Sequence, residues 1–295
     1  MASRRQFRWA LRSRRLTLGE RTLLMGVVNV TPDSFSDPGK FFSSEKAVEH
    51  ALKMLNQGAD ILDIGGESTR PGDRPPVSAP EEMDRVLPVI EAVLRARSDA
   101  VISIDTYKSQ TARAAVRAGA EIVNDVSGFL WDRDMAPACA ELGCGVVLMH
   151  TRGKMEEWRT QPRLPGDAVV SLVLRELGER VESALAAGVQ PERIVIDPGF
   201  GFGKVGDENY PLLAELDELG VLGYPILVGT SQKSFLGKTL EKKYGELSPP
   251  KERGNATLAS ITAAVLAGAH LVRVHDVKAA REAVAIADAI REGVI

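Results

Sequence analysis

"LLMGVVNV", Leu23–Val30, decides how this chain folds. It is a short, β-branched run whose last polar position, Asn29, opens into a loop. Such a run reads as a parallel strand covered on both faces. Seven more runs of the same form follow: "DILDIGG" (Asp60–Gly66), "VISIDT" (Val101–Thr106), "EIVNDVS" (Glu121–Ser127), "GVVLMH" (Gly145–His150), "RIVIDPG" (Arg193–Gly199), "YPILVGTS" (Tyr224–Ser231) and "HLVRVHD" (His270–Asp276). Helical patterns lie between them. "SSEKAVEHALKMLNQGAD" opens at a Ser43/Ser44 cap and stops at Gly58. "SAPEEMDRVLPVIEAVLRA" has Ser78 and Glu81 at capping-box spacing, and Pro88 should kink it. Five further helices read as "SQTARAAVRAGA", "MAPACAELG", "VVSLVLRELGERVESALAAG", "NATLASITAAVLAGA" and "AAREAVAIADAIREG". Eight strands alternating with helices, without a dinucleotide-binding fingerprint, predict an α/β chain closed into a (β/α)8 TIM barrel rather than a doubly wound sheet.

Upstream of the barrel, Phe7, Trp9 and Leu11 alternate with polar residues, and Leu16 and Leu18 do so again before Gly19. That period of two predicts a short β-hairpin with one covered face. Residues 1–22 are therefore a hairpin extension and 23–295 the barrel. Arg4, Arg5, Arg8, Arg12, Arg14 and Arg15 crowd the hairpin, and we assign them no targeting role.

Composition narrows the function. Net charge is −3 and 26% of residues are charged, so no global basic field recruits nucleic acid. No apolar run reaches the roughly 18 residues of a membrane span. Cys139 and Cys144 have no histidine beside them and read as reduced, buried thiols of a cytoplasmic protein, not as metal ligands.

In a barrel of this type the active site lies at the C-terminal strand ends. Those ends carry Asn29; Glu67-Ser68-Thr69-Arg70; Asp105; Asn124 and Asp125; Met149 and His150; Asp197; Ser231 and Lys233; Arg273 and His275. We expect all eight to converge on a small-molecule site. Asp105, Asn124, Asp197 and Lys233 admit three uses: holding a divalent metal, general acid–base chemistry, or recognition of a planar guanidine-like edge. The last suits a pterin or guanine ring, with the asparagine offering donor and acceptor and the lysine a further donor. Arg273 and His275 alternate on the last strand and suit phosphate oxygens; the rival reading for Arg273 is an ion pair with Asp276. Asn29, on the neighbouring strand, offers a neutral oxygen to Mg2+. His50 and His270 lie away from the mouth and read as structural. "GFGFGK" (Gly199–Lys204) fails as a P-loop, because Pro198 stands where the first glycine should and Val205 follows the lysine. It reads as a flexible loop whose Phe200 and Phe202 wall an aromatic substrate.

"MGVVNVTPDSFSD", "DILDIGGESTRPG", "SIDTYK", "IVNDVSG", "LMH", "DPGFGFGK", "SQKSFLG" and "RVHD" occur in this order, from about Leu24 to the C-terminus. With these motifs the chain resembles the dihydropteroate synthase family of folate biosynthesis. The resemblance implies a transferase joining (7,8-dihydropterin-6-yl)methyl diphosphate to 4-aminobenzoate, with release of diphosphate, and a target for sulfonamides. It implies that Asp105, Asn124, Asp197 and Lys233 hold the pterin, with Met149 packing in its pocket. Asn29, Arg273 and His275 would hold the diphosphate and its Mg2+, with Asn29 as the metal ligand. Thr69 and Arg70, with the loop from Thr31 to Asp37, would cover the site. Ser231, Pro71 and Phe202 would border the aminobenzoate pocket, with Phe35 a further wall. Asp105, Lys233 and Arg273 are the expected catalytic residues of a dissociative, SN1-like substitution. The resemblance also implies a homodimer through helices away from the mouth. Three features depart from the family: Gln232 stands where arginine is usual, Pro38 where glycine is common, and "RGNATLAS" replaces a Gly-Thr version. The alternatives are a methyltetrahydrofolate-type methyltransferase, which needs a corrinoid partner, and a non-catalytic pterin-binding protein.

Overall fold

Along each barrel strand, odd and even positions go to two different cores. In the computed structural model, Leu24, Val28, Leu62, Ile64, Ile102, Ile104, Val146, Leu148, Ile194, Ile196, Val272 and Val274 pack outward against the helices. Met25, Ile61, Ile122, Val147, Val195, Leu227 and Leu271 pack inward on one another. Both sets are apolar, so the strands look continuously hydrophobic in sequence while still obeying the two-residue alternation of a pleated strand. The structure describes residues 4–31, 40–68, 76–158, 160–165, 168–246 and 248–293. Phe35, Pro38, Thr69, Arg70 and Pro71 lie outside the described residues.

Two antiparallel strands, β1 (Phe7–Ala10) and β2 (Arg15–Leu18), form the expected hairpin, with Phe7 opposite Leu18 and Ala10 opposite Arg15. The barrel then runs β3 (Leu23–Asn29), α1 (Lys40–Gln57), β4 (Ile61–Gly65), α2 (Ala79–Ala96), β5 (Ile102–Asp105), α3 (Ser109–Arg117), β6 (Ile122–Asp125), α4 (Met135–Leu142), β7 (Gly145–Met149), α5 (Ala168–Ala186), β8 (Ile194–Asp197) and α6 (Asn209–Ala214). It closes with β9 (Leu227–Val228), α7 (Ser234–Tyr244), α8 (Gly254–Leu266), β10 (Leu271–Val274) and α9 (Val277–Glu292). The eight barrel strands are ordered β8-β7-β6-β5-β4-β3-β10-β9, and a parallel bridge from Ile196 to Ile226 joins the two ends. This is the (β/α)8 barrel.

Several boundaries differ from the sequence reading. β9 has only two residues, because Pro225 has no N–H for the ladder and Ile226 joins by an isolated bridge. α1 begins at Lys40, a turn before the Ser43/Ser44 cap, since no residue from Lys40 to Phe42 breaks a helix. α6 and α7 were not expected; α7 ends at Gly245 in the left-handed conformation (φ 76°). Pro88 lies inside an unbroken α2. Ser78 Oγ accepts from Glu81 N at 3.4 Å, but the Glu81 carboxylate turns to Arg85 at 2.5 Å, so the capping box is only half made. Among the described residues, no helix is long and apolar enough to cross a membrane.

The hairpin closes the N-terminal end of the barrel. Trp9, Leu11 and Leu18 are buried against the inward residues of the strands. Each such side chain contributes roughly 1.5–3 kcal/mol of burial. Trp9 Nε1 also donates to the Arg193 carbonyl at 2.8 Å, and Arg193 returns a bond to the Leu11 carbonyl at 2.7 Å. Arg4 fastens the same end to α9, donating to Asp288 at 3.0 Å and to Thr22 Oγ1 at 2.7 Å. With this end filled, a ligand enters the barrel only from the other one.

Candidate active site

One step above the apolar inward layer, the alternation makes the next inward residues Asp63, Ser103, Asn124, Met149, Asp197 and Arg273. A further step brings Asn29, Asp105, Ser231 and His275. Here the aliphatic filling gives way to charge. Arg273 donates from Nε to Asp63 at 2.6 Å and from a terminal nitrogen to Asp105 Oδ2 at 2.6 Å. Asn124 Nδ2 donates to the same Asp63 oxygen at 2.9 Å. Arg273 therefore has carboxylate partners, but Asp276 is not among them. Asp276 instead caps α9, accepting from Ala279 N at 3.1 Å.

Two carboxylates of the mouth, Asp105 and Asp197, are pushed upward in pKa by burial. Asp105 rises to about 7, against the pull of Arg273 and with the push of Asp63. Asp197 rises to about 6 by burial, although it accepts from Gly199 N at 2.7 Å and faces the charge of Lys233. For Arg273, burial acts to lower the pKa, but Asp63 and Asp105 outweigh it and the guanidinium is held charged.

Lys233 lies at the start of α7 with its ammonium 3.8 Å from the centre of the Phe202 ring. Ser231 Oγ is 2.9 Å from His275 Nδ1 and accepts from the His275 backbone N–H at 3.2 Å. Asn29, half-buried, ends β3 opposite Gly65. The site expectations thus meet at one mouth for Asn29, Asp105, Asn124, Met149, Asp197, Phe202, Ser231, Lys233, Arg273 and His275.

Two of the expected strand-end groups do not converge there. Asp125 and His150 each follow an inward residue and therefore point outward. Asp125 instead fixes a turn, accepting from Ser127 N at 2.7 Å and Phe129 N at 3.1 Å. His150 Nε2 sits 3.0 Å from Glu176 on α5, and burial beside Lys204 holds the ring well below its usual pKa. Phe200 is also no substrate wall. It is buried in the outer core against Phe235, ring centres 6.3 Å apart. Nor is "GFGFGK" a loose loop. Gly201 N donates to Asn209 Oδ1 at 2.7 Å, and the buried Lys204 ammonium bonds the carbonyls of Gly199 at 2.8 Å and Phe202 at 3.3 Å. Gly199 (φ 66°) is required here: a Cβ would stand 1.9 Å from the His150 carbonyl oxygen.

Sequence reading missed three components. Asp63 is wholly buried in mid-strand, and its one signal was an acid inside an apolar run. Lys108 ties Glu67, at the root of the second loop, to Glu82 on α2, at 2.5 and 3.2 Å. A chain of aromatic rings lines one side of the mouth: Tyr107 to Trp131 at 5.1 Å, Trp131 to Trp158 at 6.3 Å, and Trp158 to Phe202 at 5.0 Å. Met149 packs into this cluster.

Comparison with known proteins places the chain in a family. Residues 25–275 match the pterin binding enzyme family. A dihydropteroate synthase of Bacillus subtilis (strain 168) is 44% identical over 263 residues, 89% of this chain and 86% of that protein. The chain belongs to the dihydropteroate synthase family. Among solved family structures, the Xanthomonas albilineans dihydropteroate synthase with 4-aminobenzoic acid is 42% identical with a TM-score of 0.87, covering 97% of this chain and 99% of that one. The Yersinia pestis dihydropteroate synthase with a sulfonamide drug complex is 40% identical, also with a TM-score of 0.87, covering 97% and 100%. Gln232 has a definite backbone state. It is left-handed (φ 60°), unusual for a residue with a Cβ. Its N–H reaches Thr257 Oγ1 at 3.1 Å and its carbonyl accepts from Arg253 at 2.9 Å, so "RGNATLAS" braces the turn that presents Ser231 and Lys233.

Proposed function

We propose that this enzyme condenses (7,8-dihydropterin-6-yl)methyl diphosphate with 4-aminobenzoate, giving 7,8-dihydropteroate and diphosphate. The observation that carries the reading is the inward layer in which Asn124, Asp197 and Arg273 lie at one level of a barrel closed at its other end. Asp197 and Asn124 accept and donate along the amino-pyrimidine edge of the pterin, Lys233 donates to the ring, and Met149 and Phe202 pack on its faces. Arg273 and His275 meet the diphosphate, while Ser231 and Phe202 border the aminobenzoate.

The reaction is a substitution at the pterin methylene. The C–O bond to diphosphate breaks first. Positive charge then develops on the methylene and spreads into the ring, where Asp105 and Asp197 stabilise it. Negative charge leaves with the diphosphate, toward Arg273. The arylamine nitrogen then forms the new C–N bond and loses a proton. No covalent link to the protein is required. A Mg2+ ion fits the donor set in one way. Among the described residues no cluster of three or more His, Cys, Asp or Glu forms a cage. Asn29 would hold such an ion through its neutral side-chain oxygen beside the diphosphate, in keeping with the habit of Mg2+ at phosphate sites. Bound there, the ion would neutralise leaving-group charge.

We further propose a cytoplasmic homodimer. Support for the location is that Cys139 and Cys144 are buried free thiols. Support for the dimer is α8, apolar on its outward side as well, with Ala259 and Ala263 exposed and Leu258 and Leu266 half-buried. The decisive assay is diphosphate release. It should require the pterin diphosphate, 4-aminobenzoate and Mg2+ together, with arylsulfonamides competing against 4-aminobenzoate. Pterin binding without turnover would instead indicate a binding protein, and a corrinoid requirement would indicate a methyltransferase.

A further inference from the structure

We infer that Asp63 is a positioning residue that locks the pterin reader Asn124 and the diphosphate holder Arg273 to one oxygen atom. The inference rests on the functional reading above and adds a residue to it. Asp63 Oδ2 accepts from Asn124 Nδ2 at 2.9 Å and from Arg273 Nε at 2.6 Å. The carboxylate itself is completely buried, on β4, in the same inward layer as Asn124 and Arg273.

Two consequences follow from the chemistry of that oxygen. Asp63 Oδ2 accepts from both of its partners, and Arg273 Nε can only donate to it. The amide nitrogen of Asn124 must therefore face Asp63, and its carbonyl oxygen must turn away from it. The donor–acceptor order that Asn124 shows to a ligand is thus set by Asp63. Second, Arg273 is held by two acids, Asp63 through Nε and Asp105 through a terminal nitrogen. When a diphosphate competes for the guanidinium, the Asp63 bond at Nε keeps the side chain in the barrel while the outer edge changes partner. A bidentate-capable guanidinium anchored at Nε retains a free fork for an anion. Asp63 contacts neither substrate in this account; it acts through its two neighbours.

The test is a pair of double-mutant cycles on the full chain. Titration with 6-hydroxymethyl-7,8-dihydropterin reads the pterin arm, and inhibition by inorganic diphosphate reads the other. Asp63→Asn should weaken pterin binding at least about tenfold, the loss of a hydrogen bond to a charged group. In an Asn124→Ala background it should cost no more than about twofold, because the residue it acts through is gone. The same non-additivity should appear for diphosphate against Arg273→Ala. A residue that merely stabilises the barrel would give additive losses in both arms, and that result would overturn the inference. If Asp63→Asn does not fold, neutron diffraction on the wild-type protein decides instead. Deuterons on the Asn124 atom facing Asp63 support the inference, and an oxygen in that place overturns it. Wild-type protein that binds no pterin would overturn the functional reading and this inference with it. Binding by wild type with additive cycles overturns the inference alone.

Discussion

Replacing Asp197 by asparagine probes the pterin pocket at its most constrained group. Asp197 Oδ1 is committed to the Gly199 N–H at 2.7 Å, which leaves Oδ2 to the ligand. In Asp197→Asn the side-chain oxygen must keep Gly199 N, because an amide nitrogen cannot accept. The NH2 group then takes the place of Oδ2 and points a donor at the donor edge of the pterin. Loss of a hydrogen bond to a charged acceptor costs about 1.5–3 kcal/mol. Pterin binding should accordingly weaken about 10- to 150-fold at pH 7. The pH dependence gives a second reading. Burial places Asp197 at about 6 in the free protein. Only the carboxylate accepts two N–H bonds, so wild-type affinity should fall as pH drops below 6, by about tenfold at pH 5. Asp105, at about 7, adds a second and higher step. The variant should keep the Asp105 step and lose the Asp197 step. Isothermal titration with 6-hydroxymethyl-7,8-dihydropterin between pH 5 and 8 measures both. An affinity within about threefold of wild type, with the same pH profile, would refute the reasoning.

The raised Asp197 also predicts a stability effect of opposite sign. Its folded-state value lies above the unfolded one, so the wild type gains stability at low pH and loses it as pH rises from about 4 to about 6. Apo Asp197→Asn should therefore gain stability relative to wild type across that interval, by a few kcal/mol, and hold the gain above it; denaturant melts at fixed pH values check this. Trp9→Ala removes the side chain that fills the barrel base and the bond to Arg193, and should cost about 3–5 kcal/mol in urea melts. Turnover by the folded fraction should change less than about twofold, since the mouth is at the other end. Asn29→Ala should raise the Mg2+ concentration for half-maximal turnover about tenfold or more, without moving the melting temperature of the metal-free protein.

The barrel was legible because eight β-branched runs recur from Leu23 onward with helical periods between most of them, and the hairpin because Trp9, Leu16 and Leu18 keep a period of two. The residues at the mouth were legible because they interrupt apolar runs at their ends. What sequence could not separate was direction. Asn124 and Asp125 are neighbours of similar polarity, yet one reads the barrel interior and the other ties a turn; only the register against β5 and β7 sorts them. Asp63 was hidden by the same geometry. Outward Leu62 and Ile64 flank it, so the strand reads as apolar while the acid points inward. The aromatic chain from Tyr107 to Phe202 joins residues far apart in sequence, and no local period announces it. α6 is only six residues long, and α7 is rich in polar and charged residues, so neither announces itself by an apolar helical period.

The central claim is that the mouth of this barrel reads a pterin edge with Asn124, Asp197 and Lys233 while Arg273 stays anchored on Asp63. A crystal structure with 6-hydroxymethyl-7,8-dihydropterin bound tests it most directly. The account predicts the ring inside the barrel, within hydrogen-bond reach of Asp197 Oδ2, the Asn124 side chain and Lys233 Nζ, with the Arg273 Nε bond to Asp63 intact. A pterin seated elsewhere, or seated there without touching Asp197 and Asn124, would contradict it.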